Sequence, residues 1–212
     1  MQRRAFHAGL LAAGTLALAG PLHAQRQPQE GQEFRRLAKP APVDTPAGRI
    51  ELVEFFWYSC PHCNAFEPLL EAWSRRLSKD VVLRRVPVSF RPDFEPQQRL
   101  FFMLESLGRL DLHSKVFRAI HQDRQPLGSE AVILDWAQAQ GLVRAKAQAA
   151  YQSFGVTTRV RRAQLLQDAY EVEGVPALGV AGRFYTDGEM AGDMPRAVQV
   201  ADTLLMRVRE GR

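Results

Sequence analysis

Residues 49–63 place a buried strand directly before a pair of cysteines. The run RIELVEFFWYS at 49–59 is apolar, aromatic and of strand length, which is typical of a central strand. Cys60-Pro61-His62-Cys63 follows at once, and Pro61 fits the first turn of a helix, where its missing N–H costs nothing. Apolar residues then recur at helical spacing to Leu77, with a kink predicted at Pro68. The stretch predicts a strand that runs into a helix with both cysteines at the junction.

The rest of the chain predicts a helical insertion in an α/β unit. A second strand at 81–90 completes a strand–helix–strand unit, which is typical of parallel pairing. Helices are predicted after it at 96–107, 110–121, 129–140 and 144–154. Ser129 and either Thr157 or Thr158 are the predicted N-caps. A helix at 158–169, two short strands flanking Ala181-Gly182, and an amphipathic helix at 193–209 follow.

The first 24 residues have the three parts of a secretory signal. Arg3 and Arg4 precede an apolar run from Ala8 to Ala19, and Ala24 suits cleavage. The run is too short to span a bilayer. The paired arginines also resemble a twin-arginine export motif, so both export routes stay open. We expect export into an oxidising space.

Residues 25–48 are rich in Gln, Pro and Gly. Such composition predicts a loose leader, with at most a short strand near 34–37. Regular secondary structure is expected to begin at Arg49.

Composition and charge exclude several classes of protein. The chain has 212 residues, 46% hydrophobic and 24% charged, which is typical of a globular protein. Its 28 basic residues lose Arg3 and Arg4 with the signal while all 23 acidic residues remain, so the net charge falls from +5 to +3. This small excess comes with no nucleic-acid motif, so no nucleic-acid partner is predicted. No later segment approaches the roughly 20 apolar residues of a transmembrane helix.

The cysteine pair has three candidate roles. As a structural disulfide it closes a four-residue loop, and so short a loop removes little entropy from the unfolded chain. A zinc site needs four ligands, and His62, His113 and His121 are the only further histidines after the signal. We therefore predict no metal, and exposed or packed positions for His113 and His121. Redox chemistry is the remaining role.

The position of Cys60 favours redox chemistry. A cysteine at the start of a helix faces unpaired backbone donors and the positive end of the dipole, which favour the thiolate. His62 is expected to lower the thiol pKa further, although an exposed turn position without effect is the alternative. A low pKa stabilises the dithiol, so the pair is expected to donate disulfides, and the reduced protein to be more stable than the oxidised one near neutral pH. Cys63, one turn further, is the predicted resolving thiol.

The segments FFWYSCPHC and EGVPALGV resemble the DsbA family, periplasmic thiol:disulfide oxidoreductases with a thioredoxin fold interrupted by a helical domain. The resemblance covers most of residues 34–210, and Pro61-His62 is its most specific element. It implies a thioredoxin-like domain from 49–92 and 158–212, with a helical insertion at 93–157. It implies no cofactor.

The resemblance also implies further site residues. Val175-Pro176 is expected to be a cis peptide facing the cysteines, with the backbone of Gly174 and Val175 free to pair with an extended substrate. An ordinary trans proline is the alternative. Glu54 matches a buried acid of the family and is a candidate for proton relay to Cys63, whereas a solvent-facing strand position would exclude that role. Arg85 falls near a basic family position and is a candidate partner of Glu54.

These features predict a periplasmic enzyme that gives its Cys60–Cys63 disulfide to reduced exported proteins. By resemblance, a DsbB-like quinone-linked membrane oxidase reoxidises it, and it acts as a monomer. A disulfide isomerase or reductase is the alternative within the same chemistry. A peptide-binding, chaperone-like module with incidental cysteines is the alternative from another class.

Overall fold

A five-stranded mixed sheet forms the centre of the molecule. The computed structural model describes residues 26–211, so the predicted signal lies outside the described residues. Neighbouring strands follow the order β1-β5-β4-β2-β3. β2 and β3 are parallel, and the other neighbouring pairs are antiparallel. The strands are β1 (Arg35–Arg36), β2 (Ile50–Phe56), β3 (Val81–Pro87), β4 (Ala177–Val180) and β5 (Phe184–Asp187).

Helices pack on both faces of this sheet. One apolar core joins the sheet to α1 and α8, and another joins it to the helices between β3 and β4. The helices are α1 (Pro61–Ser74), α2 (Glu95–Ser106), α3 (His113–His121), α4 (Glu130–Ala139), α5 (Arg144–Tyr151), α6 (Phe154–Ala169), α7 (Gly188–Ala191) and α8 (Met194–Arg209), with 3₁₀ turns at Pro92–Phe94 and Leu110–Leu112. Between residues 26 and 211, every helix is too short or too polar to cross a membrane.

The central strand carries the cysteines to the edge of both cores. Six of the seven β2 residues, from Glu51 to Phe56, are buried, because β2 has a strand on each side and helices on each face. α1 begins at Pro61, and four residues separate it from the end of β2. The predicted strand–helix junction is therefore confirmed, with Pro68 inside the helix. The predicted α/β class with a helical insertion is also confirmed.

The expectation of a loose leader at 25–48 is wrong for its central part. Phe34 is fully buried and Leu37 nearly so. β1 pairs with β5, and the Leu37 N–H donates to the Arg183 carbonyl at 2.8 Å. The short strand predicted near 34–37 is confirmed. Gln, Pro and Gly outnumber the apolar residues here, and composition does not show that a few of them fill a gap in the core.

Several predicted helix ends are also wrong. α6 begins at Phe154, and the Ser153 hydroxyl caps it by accepting from the Val156 N–H at 3.1 Å. Thr157 and Thr158 therefore lie inside the first turns and are not caps. Gly155 lies within the helix and does not separate two helices. The predicted boundary at 157/158 between insertion and thioredoxin-like domain falls inside α6, and the division into domains stays a prediction.

Candidate active site

Cys60 is the N-cap residue of α1. Its backbone is extended, with φ −80° and ψ 118°, and its Sγ accepts a hydrogen bond from the Cys63 N–H at 3.3 Å. Pro61 occupies the first helical position. An N-cap acceptor satisfies one of the backbone donors that a helix leaves unpaired at its start. The predicted location of Cys60 at this helix end is confirmed.

The surroundings of Cys60 favour its thiolate. The pKa of Cys60 falls from its usual 9.0 to about 6, chiefly because the Cys63 side chain donates a hydrogen bond to its sulfur. Burial opposes this change, while the backbone N–H groups of Cys63 and His62 and the charge of His62 add to it. A lowered pKa makes more of the reactive anion at neutral pH. The His62 ring is exposed and makes the smallest contribution to the lowered pKa.

Cys63 has the opposite proton affinity. Its side chain is fully buried, and burial together with the Cys60 thiol raises its pKa well above 9.0. Both cysteines are free thiols, so this is the dithiol form. Cys60, as a thiolate, is a good leaving group. Cys63 is protonated, so it must lose its proton before it can react.

The Val175-Pro176 peptide is cis and faces Cys60. The Cys60 thiol donates to the Val175 carbonyl, with Sγ and oxygen 3.4 Å apart. Gly174 is exposed and Pro176 buried. These residues border a largely apolar groove of about 860 Å³ beside His62, whose lining also includes Ala65, Phe66, Leu69, Met194 and Pro195.

Glu54 is fully buried beneath the cysteines, so the solvent-facing alternative is excluded. Its Oε2 lies 3.2 Å from Arg85 Nε. Neither Glu54 oxygen has an aligned hydrogen-bond partner among the described residues, so Arg85 acts on Glu54 mainly through its charge. Burial, and next the charge of Glu67, raise the pKa of Glu54 well above 4.5, while Arg85 opposes them. Glu54 thus keeps its proton to higher pH than an exposed carboxyl does.

Two acids of the site were missed by sequence reasoning. Arg85 Nη2 lies 3.6 Å from Glu67 Oε2 and 2.5 Å from Glu71 Oε1, so three carboxylates share one guanidinium. Glu67 is buried and Glu71 is partly exposed. Both acids follow Cys63 at spacings of four and eight, which place them on one helix face. That spacing was the available signal.

Contacts from the helical insertion to the active-site segment were also missed. Gln97 donates to the Ser59 hydroxyl at 2.7 Å and accepts from the Ser59 N–H at 3.2 Å. His121 Nε2 lies 2.8 Å from the Tyr58 carbonyl, and His113 is buried against Tyr58 and Glu67. His113 therefore takes the packed position that was expected. Sequence spacing gives no signal for contacts between residues this far apart.

A thioredoxin-like sheet, a helix that begins at a Cys-x-x-Cys pair and a facing cis-proline define a thiol:disulfide oxidoreductase. No group of three or more His, Cys, Asp or Glu residues within 26–211 is arranged to hold a metal ion. Residues 85–203 match the family model described as DSBA-like thioredoxin domain. The chain belongs to the DsbA family.

Named relatives agree with this assignment. The thiol:disulfide interchange protein DsbA of Bordetella parapertussis is 42% identical over 95% of this chain and 96% of its own length. DsbA of Pseudomonas aeruginosa PAO1 is 37% identical over 84% of this chain and 85% of its own. A crystal structure of Pseudomonas aeruginosa DsbA superposes with a TM-score of 0.82 at 36% identity, over 86% of this chain and 95% of that one. The expected family, fold and oxidoreductase activity are confirmed.

Proposed function

We propose that this oxidoreductase works in the periplasm, where it donates its Cys60–Cys63 disulfide to reduced exported proteins. The observation that carries the proposal is the opposite shift of the two thiol pKa values, lowered at Cys60 and raised at Cys63. A stabilised Cys60 thiolate favours the reduced pair, so the oxidised pair is a strong oxidant.

In the proposed reaction, a substrate thiolate attacks Cys60 Sγ of the oxidised enzyme. The substrate–Cys60 bond forms, the Cys60–Cys63 bond breaks, and Cys63 leaves as a thiolate. Because the Cys63 pKa is high, this thiolate takes up a proton, which Glu54 supplies. A second substrate thiolate then attacks the substrate sulfur, the substrate disulfide forms, and Cys60 leaves as a thiolate. Two electrons pass from substrate to enzyme. In the reverse direction, Cys63 resolves the mixed disulfide.

The substrate is proposed to bind beside the cysteines as an extended segment. Backbone groups of Gly174 and Val175 lie next to the cis Pro176 and are placed to pair with such a segment. The groove next to His62 provides apolar surface for a side chain close to the reacting cysteine. Unfolded proteins expose extended backbone and apolar side chains, so an unfolded substrate suits this surface.

The cellular setting is also part of the proposal. The signal at 1–24 supports export to the periplasm. A DsbB-like quinone-linked membrane oxidase is proposed to return the dithiol to the disulfide, and the enzyme is proposed to act as a monomer. The thioredoxin-like domain is proposed to consist of residues 49–92 and 158–212. The helical insertion is proposed to consist of residues 93–157.

The test is oxidation of a reduced, unfolded protein that needs disulfides for activity. We expect the oxidised enzyme to restore that activity stoichiometrically, and Cys60→Ser to abolish transfer. Cys63→Ser, which retains the Cys60 nucleophile, is the matched control: it has no disulfide to donate and should also fail to oxidise the reduced protein, but its Cys60 thiolate should attack the oxidised form of the same protein and stay bound as a mixed disulfide. An equilibrium constant with glutathione close to that of a reducing thioredoxin would refute the role of donor.

A further inference from the structure

A histidine of the helical insertion ends a buried chain of polar contacts beneath the cysteines. His113 Nδ1 lies 2.8 Å from the Tyr58 hydroxyl, and Nε2 lies 3.3 Å from Glu67 Oε1. The other Glu67 oxygen approaches Arg85, which contacts Glu54. His113, Tyr58, Glu54 and Glu67 are all buried. The chain thus connects α3 to the acid below Cys63.

Tyr58 determines which nitrogen of His113 carries the proton. Burial raises the pKa of Tyr58 well above 10, so its hydroxyl keeps a proton. The hydroxyl donates to Nδ1, because the opposite tautomer would point an unprotonated Nε2 at the Glu67 carboxylate. Burial also lowers the pKa of His113, so the ring is neutral at neutral pH and has a single N–H. A ring that accepts from Tyr58 at Nδ1 carries its proton on Nε2. His113 therefore donates to Glu67.

A hydrogen bond to a carboxylate favours its ionised form. The negative charge of Glu67 is in turn the largest electrostatic cause of the raised pKa of Glu54. We propose that His113 is a positioning residue that holds the Glu67 carboxylate beside the Arg85–Glu54 pair and thereby favours a proton on Glu54 for delivery to Cys63. This inference rests on the proposed function, in which Cys63 takes its proton from Glu54.

The other titratable groups near Glu54 and His113 come from β3, α1 and the loop after β2. They are Arg85 of β3, Glu67, Glu71 and Cys63 of α1, and Tyr58 after β2. Arg85 opposes the proton on Glu54 and is shared with Glu67 and Glu71, so displacing the Glu67 carboxylate would leave more of the Arg85 charge for Glu54. Loss of the His113 donor would therefore weaken proton binding at Glu54 in two ways.

A packing role is the competing explanation for His113. Its ring makes edge contacts with Phe56, Phe101 and Phe117, at centroid distances of 5.2, 5.9 and 5.3 Å. An aromatic ring without nitrogen atoms would preserve these contacts. Phenylalanine at position 113 therefore separates packing from hydrogen bonding, and glutamine tests whether an N–H donor is sufficient.

The experiment follows reduction of the oxidised enzyme by a cysteine peptide from pH 4 to 9, with each rate divided by the concentration of peptide thiolate. In wild type, the rate falls as Glu54 ionises. We expect His113→Phe to move this fall by about one unit to lower pH, which is about tenfold slower reduction in the affected range. His113→Gln should restore the wild-type profile. Ser114→Ala, at an exposed position of the same helix α3, should leave the profile unchanged.

Three results would overturn the inference: an unshifted profile in His113→Phe, no rescue by glutamine, or an equal shift in Ser114→Ala. If His113→Phe does not fold, Tyr58→Phe replaces it. Without the Tyr58 hydroxyl, the proton of the His113 ring is no longer fixed on Nε2. Tyr58→Phe should shift the profile in the same direction by a smaller amount, and an unshifted profile refutes the proposal. Transfer by Cys60→Ser would instead refute the proposed function, so the two failures are distinguishable.

Discussion

Cys60 and Cys63 are three residues apart, and their thiols bind protons with opposite tendencies. Cys60 lies at the start of α1, where backbone donors stabilise a negative sulfur. Cys63 lies one turn further into the core, where burial stabilises the neutral thiol. The difference arises from position on one helix, because both residues have the same intrinsic pKa.

The lowered pKa of Cys60 predicts a pH-dependent stability of the reduced protein. Because the folded value, about 6, lies below the usual 9.0, the contribution is fully present above pH 9 and is lost as the pH falls through 6. The full shift corresponds to about 4 kcal/mol, and solvent screening at the mouth of the groove reduces this to about 2 kcal/mol. Urea unfolding of the reduced protein should show this loss between pH 9 and 6. Cys60→Ala should not show it, and parallel curves for both proteins would contradict the assignment.

The raised pKa of Glu54 predicts the opposite dependence. A carboxyl that binds its proton more tightly when folded contributes stability below pH 4.5, and that contribution is lost as the pH rises through the folded value. Glu54→Gln does not titrate, so it should be more stable than wild type at pH 8 by about 1 to 2 kcal/mol. At pH 4 the difference should be much smaller. Unfolding free energies measured at both pH values test this, and equal differences would refute it.

At the scale of elements, sequence reasoning succeeded where periodicity is strong. The apolar run of β2, Pro61 at the start of α1 and the hairpin at Ala181-Gly182 each have local causes, and each was predicted. Helix ends within the insertion were less accurate, because Ser153 caps α6 while Gly155 lies inside the helix. A glycine permits a break in a helix and does not require one. Packing around the glycine decides whether the helix continues.

The close packing of Tyr170, the residue after α6, against β4 gives a prediction of its own. A Cβ on Gly179 would lie 2.4 Å from Tyr170 Cε1, and Tyr170 is fully buried and accepts from the Gly182 N–H at 2.9 Å. Gly179→Ala should therefore lower the free energy of unfolding by about 2 to 3 kcal/mol. Gly155→Ala has no close contact of this kind and should be neutral or stabilising. Urea midpoints compare the two, and equal effects would contradict the packing argument.

At the scale of the whole molecule, the two cores meet at the active site. The sequence predicted Cys60, Cys63 and the cis Pro176, since motif and resemblance point to them directly. It did not predict that Gln97 and His121 would hold Ser59 and the Tyr58 carbonyl. Such contacts depend on how the insertion docks on the sheet, and no local pattern encodes docking. The insertion therefore supports the active-site segment as well as covering the sheet.

The N-terminal segment contributes Phe34 to the core on the sheet face opposite the helical insertion. This contact gives a last prediction. Phe34 is fully buried, packs edge-on against Phe184 with centroids 5.9 Å apart, and has the Arg207 guanidinium 5.2 Å from its ring. It thus joins the start of the described chain to β5 and α8. Phe34→Ala should cost about 3 to 5 kcal/mol in unfolding free energy. Val43→Ala, at a position 46% exposed, should change it by less than about 1 kcal/mol. Because Phe34 belongs to the core opposite the helical insertion, the alkylation profile of Cys60 should remain that of wild type in the folded variant. A similar small loss in both variants would show that residues 26–37 are dispensable for the fold.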